Sequence, residues 1–303
     1  MGVKVGIHTG VLESDDASSL SKLSMRLEEL GFEGVFLADS ISSQRLDPLT
    51  VLSIFAASTS GISIGTCVYI LPLRHPLVTA KTVSSLQQVS GGRLVLGVGV
   101  GWRDNEFGAL GVPFEKRGRV TDECLNVMRQ AWSKDSVNFK GEFFRFEGFE
   151  LNSRLSESMA PKVWVGGNSR AAIQRAVRYG NGWVPTDLTL DEYKERLPIL
   201  KKALRQDGRN ATFTLASHLA LLLDENRHKA QAKVEHIAQM FGETPEQFSA
   251  GAIVGDPSSV TERLTSYTEL GVNYHVLSTH LLGDRKKELE MLALFSKEVA
   301  PSL

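Results

Sequence analysis

Cysteine is nearly absent. Cys67 and Cys124 are the only two in 303 residues, too few for a disulfide framework or a cysteine-rich metal centre. Neither sign of charge dominates: 34 basic and 35 acidic side chains leave a formal net charge of −1. That balance removes the electrostatic case for nucleic acid or an anionic membrane as partner. No window approaches the ~18 consecutive apolar residues of a membrane span, and the apolar run at 219–223 stops at Asp224. The first ten residues carry no basic stretch leading into an apolar one, so no export signal is expected and the chain reads as cytoplasmic. Linkers of low complexity are missing too, which favours one domain over residues 1–303. A chain 42% apolar and 23% charged is ordinary for a globular protein, and its expected partner is a small molecule.

What is present is a repeated alternation. Short apolar runs stand at 3–8, 34–38, 62–68, 93–98, 162–166, 182–185, 212–220 and 273–277, as expected of parallel strands buried on both faces. Helical spacing follows, for example Leu20, Leu23, Leu27 and Leu30, or Leu190, Tyr193, Leu197, Leu200 and Leu204. Gly31, Gly180 and Gly271 each stand just past a helix end and just before a strand. Eight strand–helix units predict a (β/α)8 TIM barrel, with a doubly wound open sheet as the competing arrangement. Two connections exceed a plain barrel loop. Residues 102–161 hold a helix near 119–132 and an aromatic hairpin at 139–146, expected over the barrel mouth. Residues 221–257 hold helical stretches near 225–241 and 245–250. These are insertions after strands 4 and 7, where a barrel builds or covers its active site.

Function in a barrel gathers at the C-terminal strand ends. Those ends carry His8, Asp39, Thr66-Cys67-Val68, Gly99-Val100-Gly101-Trp102, Gly166-Gly167-Asn168-Ser169 and Thr279-His280, with His218 in the seventh strand. The glycines of the fourth strand do not make a dinucleotide fingerprint, because the third glycine would fall at Trp102 or Asp104. Alternating Gly97, Gly99 and Gly101 instead predict a strand face bare enough for a flat ring, or else a strand that needs small residues for closure. Gly166 to Ser169 run into a helix beginning near Ala171, so free amides and the Ser169 hydroxyl form a candidate anion site, or a simple capped turn.

A linked set of motifs adds a resemblance. Gly65-Thr66-Cys67-Val68, Leu71-Pro72-Leu73-Arg74-His75-Pro76, Ser90-Gly91-Gly92-Arg93-Leu94, Gly97 to Trp102, Ala109 to Phe114 and Arg117-Gly118 are spread over 65–118. Gly31 to Gly34, Asp47-Pro48-Leu49, Val163 to Gly167 and Val254 to Pro257 extend the set along the chain. Together they resemble the bacterial luciferase-like oxidoreductase superfamily, closest to its coenzyme F420-dependent branch. The resemblance implies a homodimer of (β/α)8 barrels with a flavin or deazaflavin ring in the mouth, and a cis peptide at Cys67–Val68. It places Asp39 at the ring edge and Thr66, Cys67 and Val68 along the ring, which the bare face at Gly99 and Gly101 would also meet. Trp102 and Asn105 follow, and Gly166, Gly167, Asn168 and Ser169 hold the phosphate.

Two departures bear on substrate. Sugar-phosphate dehydrogenases of the deazaflavin branch have His after the Asp, where this chain has Ser40, and Glu where Trp102 stands. A sugar phosphate is therefore not expected. His8, with Asp39, is the candidate catalytic residue, since imidazole titrates near neutrality. His218 is expected within the barrel wall or beneath the second insertion, and His75 at a loop or along a groove for the cofactor tail. Trp102 is expected as a wall against the ring. No histidine has metal-ligand spacing with acidic partners, so no metal is expected. The expected activity is hydride transfer between reduced coenzyme F420 and a small organic substrate. The alternatives are an FMN-dependent monooxygenase and a catalytically silent flavin-binding protein.

Overall fold

The computed structural model describes residues 2–12, 14–151, 155–207 and 212–303. Eight parallel strands carry the chain: β1 (Lys4–His8), β2 (Gly34–Leu37), β3 (Ser63–Ile70), β4 (Leu94–Gly99), β5 (Lys162–Gly166), β6 (Gly182–Val184), β7 (Thr214–Leu223) and β8 (Tyr274–Ser278). Each pairs with the next, and β8 pairs with β1, so the sheet closes. A helix returns after every strand: α1 (Ala17–Glu29), α2 (Pro48–Ser58), α3 (Pro76–Val89), α4 (Arg117–Ser133), α5 (Arg170–Tyr179), α6 (Leu190–Asp207), α7 (Pro257–Glu269) and α8 (Arg285–Glu298). This is a (β/α)8 barrel, and the open-sheet alternative is excluded by its closure. Local chemistry starts these helices: Asp16 and Ser19 form a capping box on α1, and Asp47 with Pro48 opens α2. None of the described helices is long and apolar enough to cross a membrane.

The barrel interior is filled by aromatic rings. Phe36 stacks on Trp164 at 5.5 Å, and Tyr274 meets Trp164 edge-on at 4.9 Å, with Cys67, Val95, Val184, Ala216 and Val276 around them. Glycines on neighbouring strands make room. A Cβ on Gly6 or Gly65 would come within 3 Å of Phe36, and one on Gly182 would strike Trp164.

The first insertion follows β4. Its strands, Val137–Lys140 and Arg145–Phe149, form the antiparallel hairpin read from the sequence. It does not lie over the mouth. The Glu123 carboxylate of α4 accepts the amides of Glu142, Phe143 and Phe144, while Phe144 and Phe146 pack on the His75 ring at the start of α3. The hairpin therefore leans on the outside of the helical layer, because its aromatic face finds helix surface there. The second insertion extends β7, pairs it with Ile253–Gly255, and adds helices Arg227–Ala232, Val234–Phe241 and Pro245–Gly251. This one reaches the mouth.

β3 breaks register between Thr66 and Tyr69, where the Cys67–Val68 peptide is cis. The glycines of β4 serve this bulge. A Cβ on Gly97 would stand 2.0 Å from the Thr66 carbonyl oxygen, and one on Gly99 would stand 2.4 Å from Val68 Cγ2. Gly97→Ala should therefore cost about 3 kcal/mol, since backbone rather than a flexible side chain must yield. Urea unfolding checks this, and an unchanged midpoint would refute the close approach.

Candidate active site

The inward residues above the aromatic plug form the site. His8 of β1, His218 of β7 and His280 just after β8 converge. His8 Nδ1 lies 2.8 Å from His218 Nε2, and the His8 and His280 ring centroids are 4.9 Å apart. Ser278 links the group, its Oγ 3.4 Å from His8 Nδ1 and 3.1 Å from His280 Nδ1, and Thr186 Oγ1 stands 3.3 Å from His218 Nδ1. His8 Nε2 is buried without a partner among the described residues.

Burial keeps all three imidazoles uncharged. It holds His8 well below its ordinary value, with His218, His280 and Arg45 adding to the effect. Burial and His280 lower His218 to about 3, and burial and Arg45 lower His280 to about 4.

His218 and His280 face a cavity of about 220 Å3, while His8 stands behind them and reaches it only through His218 and Ser278. The cavity is walled by Thr186, Asp187 and Ser278 from strand ends and by Glu243, Gln247 and Phe248 from the second insertion. Asp187 was not singled out in the sequence. Among the described residues it is the one non-glycine with positive φ, at 51°. A short turn after β6 forces this geometry, where the Asp187 amide donates to the His218 carbonyl at 2.8 Å. Enclosure by the cavity walls and the charge of Glu243 push its carboxyl up to about 7, against a bond from the Ala220 amide. In the sequence, the only signal was an acidic residue shortly after a barrel strand.

Asp39 is almost wholly buried and is held by Arg74 through two hydrogen bonds of 2.6 and 2.9 Å, and by the Ile70 amide at 2.9 Å. Burial pushes its carboxyl up against the pull of the guanidinium. It thus ties the end of β2 to the end of β3. Ser40 donates to Glu106 Oε1 at 2.9 Å, as do the Ser42 hydroxyl at 2.7 Å and the Ser42 amide at 3.0 Å. Burial opposes the Glu106 charge, but these bonds outweigh it and hold the carboxyl below the usual range. Glu106 also escaped sequence reading, since a carboxylate inside a short helix carries no signature.

The glycine-rich β4 face is not bare. Val68 occupies the space beside both Gly99 and Gly166, and Ile70 and Phe107 occupy that beside Gly101, so neighbouring side chains take the room expected for a ring. Thr66 donates to the Gly97 carbonyl at 2.7 Å, and Cys67 lies in the plug with its thiol pushed up to about 12 by burial. Val68 is half-buried, between this plug and the two glycines. Trp102 forms no wall: it is 74% exposed, with Arg103 stacked on it at 4.8 Å. Asn105 lies exposed nearby in the helix Asp104–Ala109.

The glycine loop meets its expectation in shape. Gly167 has φ +111°, Ser169 caps α5 by accepting from the Ala172 amide, and the helix N-terminus lies open to solvent. Asn168 exchanges two hydrogen bonds with the Thr186 backbone, at 2.8 and 3.0 Å, which joins this loop to the cavity edge. Among the described residues no cluster of three His, Cys, Asp or Glu side chains could hold a metal.

The neutral imidazoles set a pH dependence. Their folded-state values lie below the ordinary 6.5, so the unfolded chain binds more protons in acid. Stability should be complete above about pH 6.5 and fall steadily as pH drops towards 4. Melting curves at several pH values check this, and His218→Asn should flatten the fall. An unaltered slope would place the lost stability elsewhere.

The model of the family described as luciferase-like monooxygenase matches residues 2–251. An F420-dependent glucose-6-phosphate dehydrogenase of Nakamurella multipartita is 27% identical, covering 94% of this chain and 92% of the relative. Among solved structures, the monooxygenase RslO1 of Streptomyces bottropensis superposes with a TM-score of 0.86 at 21% identity, covering 98% of this chain and 99% of that one. The coenzyme F420-dependent tetrahydromethanopterin reductase of Methanopyrus kandleri superposes at 0.83, with 21% identity and 99% of both chains covered. With a matched segment spanning most of the barrel, the chain belongs to the luciferase-like monooxygenase family.

Proposed function

We propose that the chain is a two-electron oxidoreductase that uses coenzyme F420 on a small organic substrate other than a sugar phosphate. The observation that carries this reading is the join, made by Asn168 and Thr186, between an open helix N-terminus and a cavity walled by Asp187, His218 and His280. A dehydrogenase relative covered over nine-tenths of both chains supports the choice of cofactor.

The residues fit such a group. Gly167, Asn168 and Ser169 would hold its phosphate, and Val68 would back its ring. The cavity, about 220 Å3, is smaller than the ~300–1,000 Å3 of a whole-ligand pocket and suits one part of an extended cofactor or its substrate. When bound, the deazaflavin supplies a ring carbon that gives or takes hydride. Every other task falls to the chain. Neutral His218 and His280 offer hydrogen bonds without charge, and Phe248 and Leu281 exclude water. Asp187, facing the cavity, holds a proton near neutrality and takes the donor role that the sequence suggested for His8. His8 acts behind His218 as a relay that fixes its tautomer. Asp187 and Glu243 are the acidic groups of this cavity among the described residues; Glu243, and Asp187 once it has given up its proton, repel a phosphate.

Side-by-side titrations test the cofactor. F420 should bind at least tenfold more tightly than FMN, and the reverse order would overturn the reading. Ser169→Asp keeps an effective cap but sets a carboxylate against the phosphate. It should weaken F420 at least tenfold while leaving a phosphate-free deazaflavin and the melting temperature unchanged. For Asp187, carbon-13 titration of the apoprotein should show a carboxyl midpoint near 7 that Glu243→Gln lowers. A midpoint near 4 would return the donor role to another group.

A further inference from the structure

Arg45 has no counter-charge among the described residues. It lies half-buried in the loop between β2 and α2, where its backbone forms a bridge with Leu12. Its guanidinium has neither an ion pair nor a hydrogen bond among the described residues. The charge that acts on it is another cation, Arg103, from the loop after β4. Three neighbouring arginines, by contrast, are served. Arg74 holds Asp39, Arg285 holds Glu288 at 2.6 Å, and Arg103 donates to Ser42 beside Glu106. A desolvated guanidinium beside a like charge is unfavourable unless something completes it.

Its side chain lines a cavity of about 230 Å3 that shares the His280 wall with the cavity described above. Three acids also line this cavity, and each is already committed. Asp15 accepts the Leu12 amide, Asp284 caps α8, and Glu288 accepts from Thr9 and Arg285. None of them acts on Arg45. Their presence favours an anion of one charge over a doubly charged phosphate.

We propose that Arg45 is an anion subsite at the mouth that binds the carboxylate of a small organic acid beside His280, through the paired N–H groups of its guanidinium. The subsite deepens the proposed function, because it orients a substrate with its charged end towards β2 and its reacting end towards Asp187 and His218. A carboxylate can reach it on the substrate or on the cofactor, and the chemistry recognised is the same.

The test uses the nitrogen-15-labelled chain without cofactor. The Arg45 Nε–Hε resonance, assigned by its loss in Arg45→Met, should shift saturably with sodium benzoate or acetate and stay still with benzamide. The melting temperature of the wild type should rise with benzoate, and that of Arg45→Met should not. Replacement should leave the melting temperature without ligand unchanged or higher, because an uncompensated charge is removed. A resonance that neither carboxylate moves, or a clear fall in melting temperature on replacement, would overturn the proposal and mark a structural arginine. F420 titration separates the two carriers. An unchanged dissociation constant in Arg45→Met assigns the carboxylate to substrate, and a tenfold rise assigns it to the cofactor. Failure of F420 to bind the wild type would sink the cofactor reading while leaving the benzoate result to stand by itself.

Discussion

An eight-stranded cylinder must fill its own interior, and what fills it decides where a ligand is admitted. Here Phe36, Trp164 and Tyr274 occupy the lower half as mutually packed rings. Gly6, Gly34, Gly65 and Gly182 accommodate them, since a Cβ at any of these would approach a ring within 3 Å. With the lower half full, the space lies above it, beside His218, Ser278 and His280. The bulge has its own requirement, met by Gly97 and Gly99 on one neighbour and by Gly166 on the next strand. The glycines of this chain thus answer mostly to its own side chains.

Charge is distributed unevenly around the resulting mouth. On the β6–β7 side stand Asp187 and Glu243, the latter between two insertion helices, the second of which packs so closely that Gly251 has no room for a Cβ against the Asp187 carbonyl. On the β2–β4 side stand Arg45 and Arg103. Between them lie imidazoles that burial keeps neutral, so they insulate one side from the other rather than bridging them. Such a gradient orients a polar substrate before any specific contact forms. The loops that carry these charges are themselves anchored: Asp39 with Arg74 joins β2 to β3, and Glu106 with Ser40 and Ser42 joins the β4 loop to the β2 loop. Buried, multiply bonded carboxylates suit that purpose because each holds two segments at once.

Much of the architecture was legible in advance. The eight apolar runs coincide with the eight strands to within a few residues, because parallel strands buried on both faces have few other compositions available. Both insertions were visible as excess length. The hairpin at 137–149 was read correctly as a hairpin and placed wrongly, since its phenylalanines say only that it must cover something. His8 was found by its position at a strand end, but its separation from the cavity by His218 depends on a residue 210 positions away. Trp102 shows the same limit: an aromatic after a glycine run is equally compatible with a wall and with an exposed ring stacked on Arg103.

Periodicity and strand-end position, both local properties of the chain, determined the barrel and the glycine loop before α5, and a linked set of motifs carried the family resemblance. Tertiary structure alone decided which glycines are open and which are filled, because a missing Cβ has meaning only against the neighbour that faces it. It also decided which ionisable groups are satisfied. Arg45 and Arg74 look alike in a sequence, yet one meets a carboxylate and the other meets another cation. That difference arises from long-range pairing and desolvation, which no stretch of sequence contains.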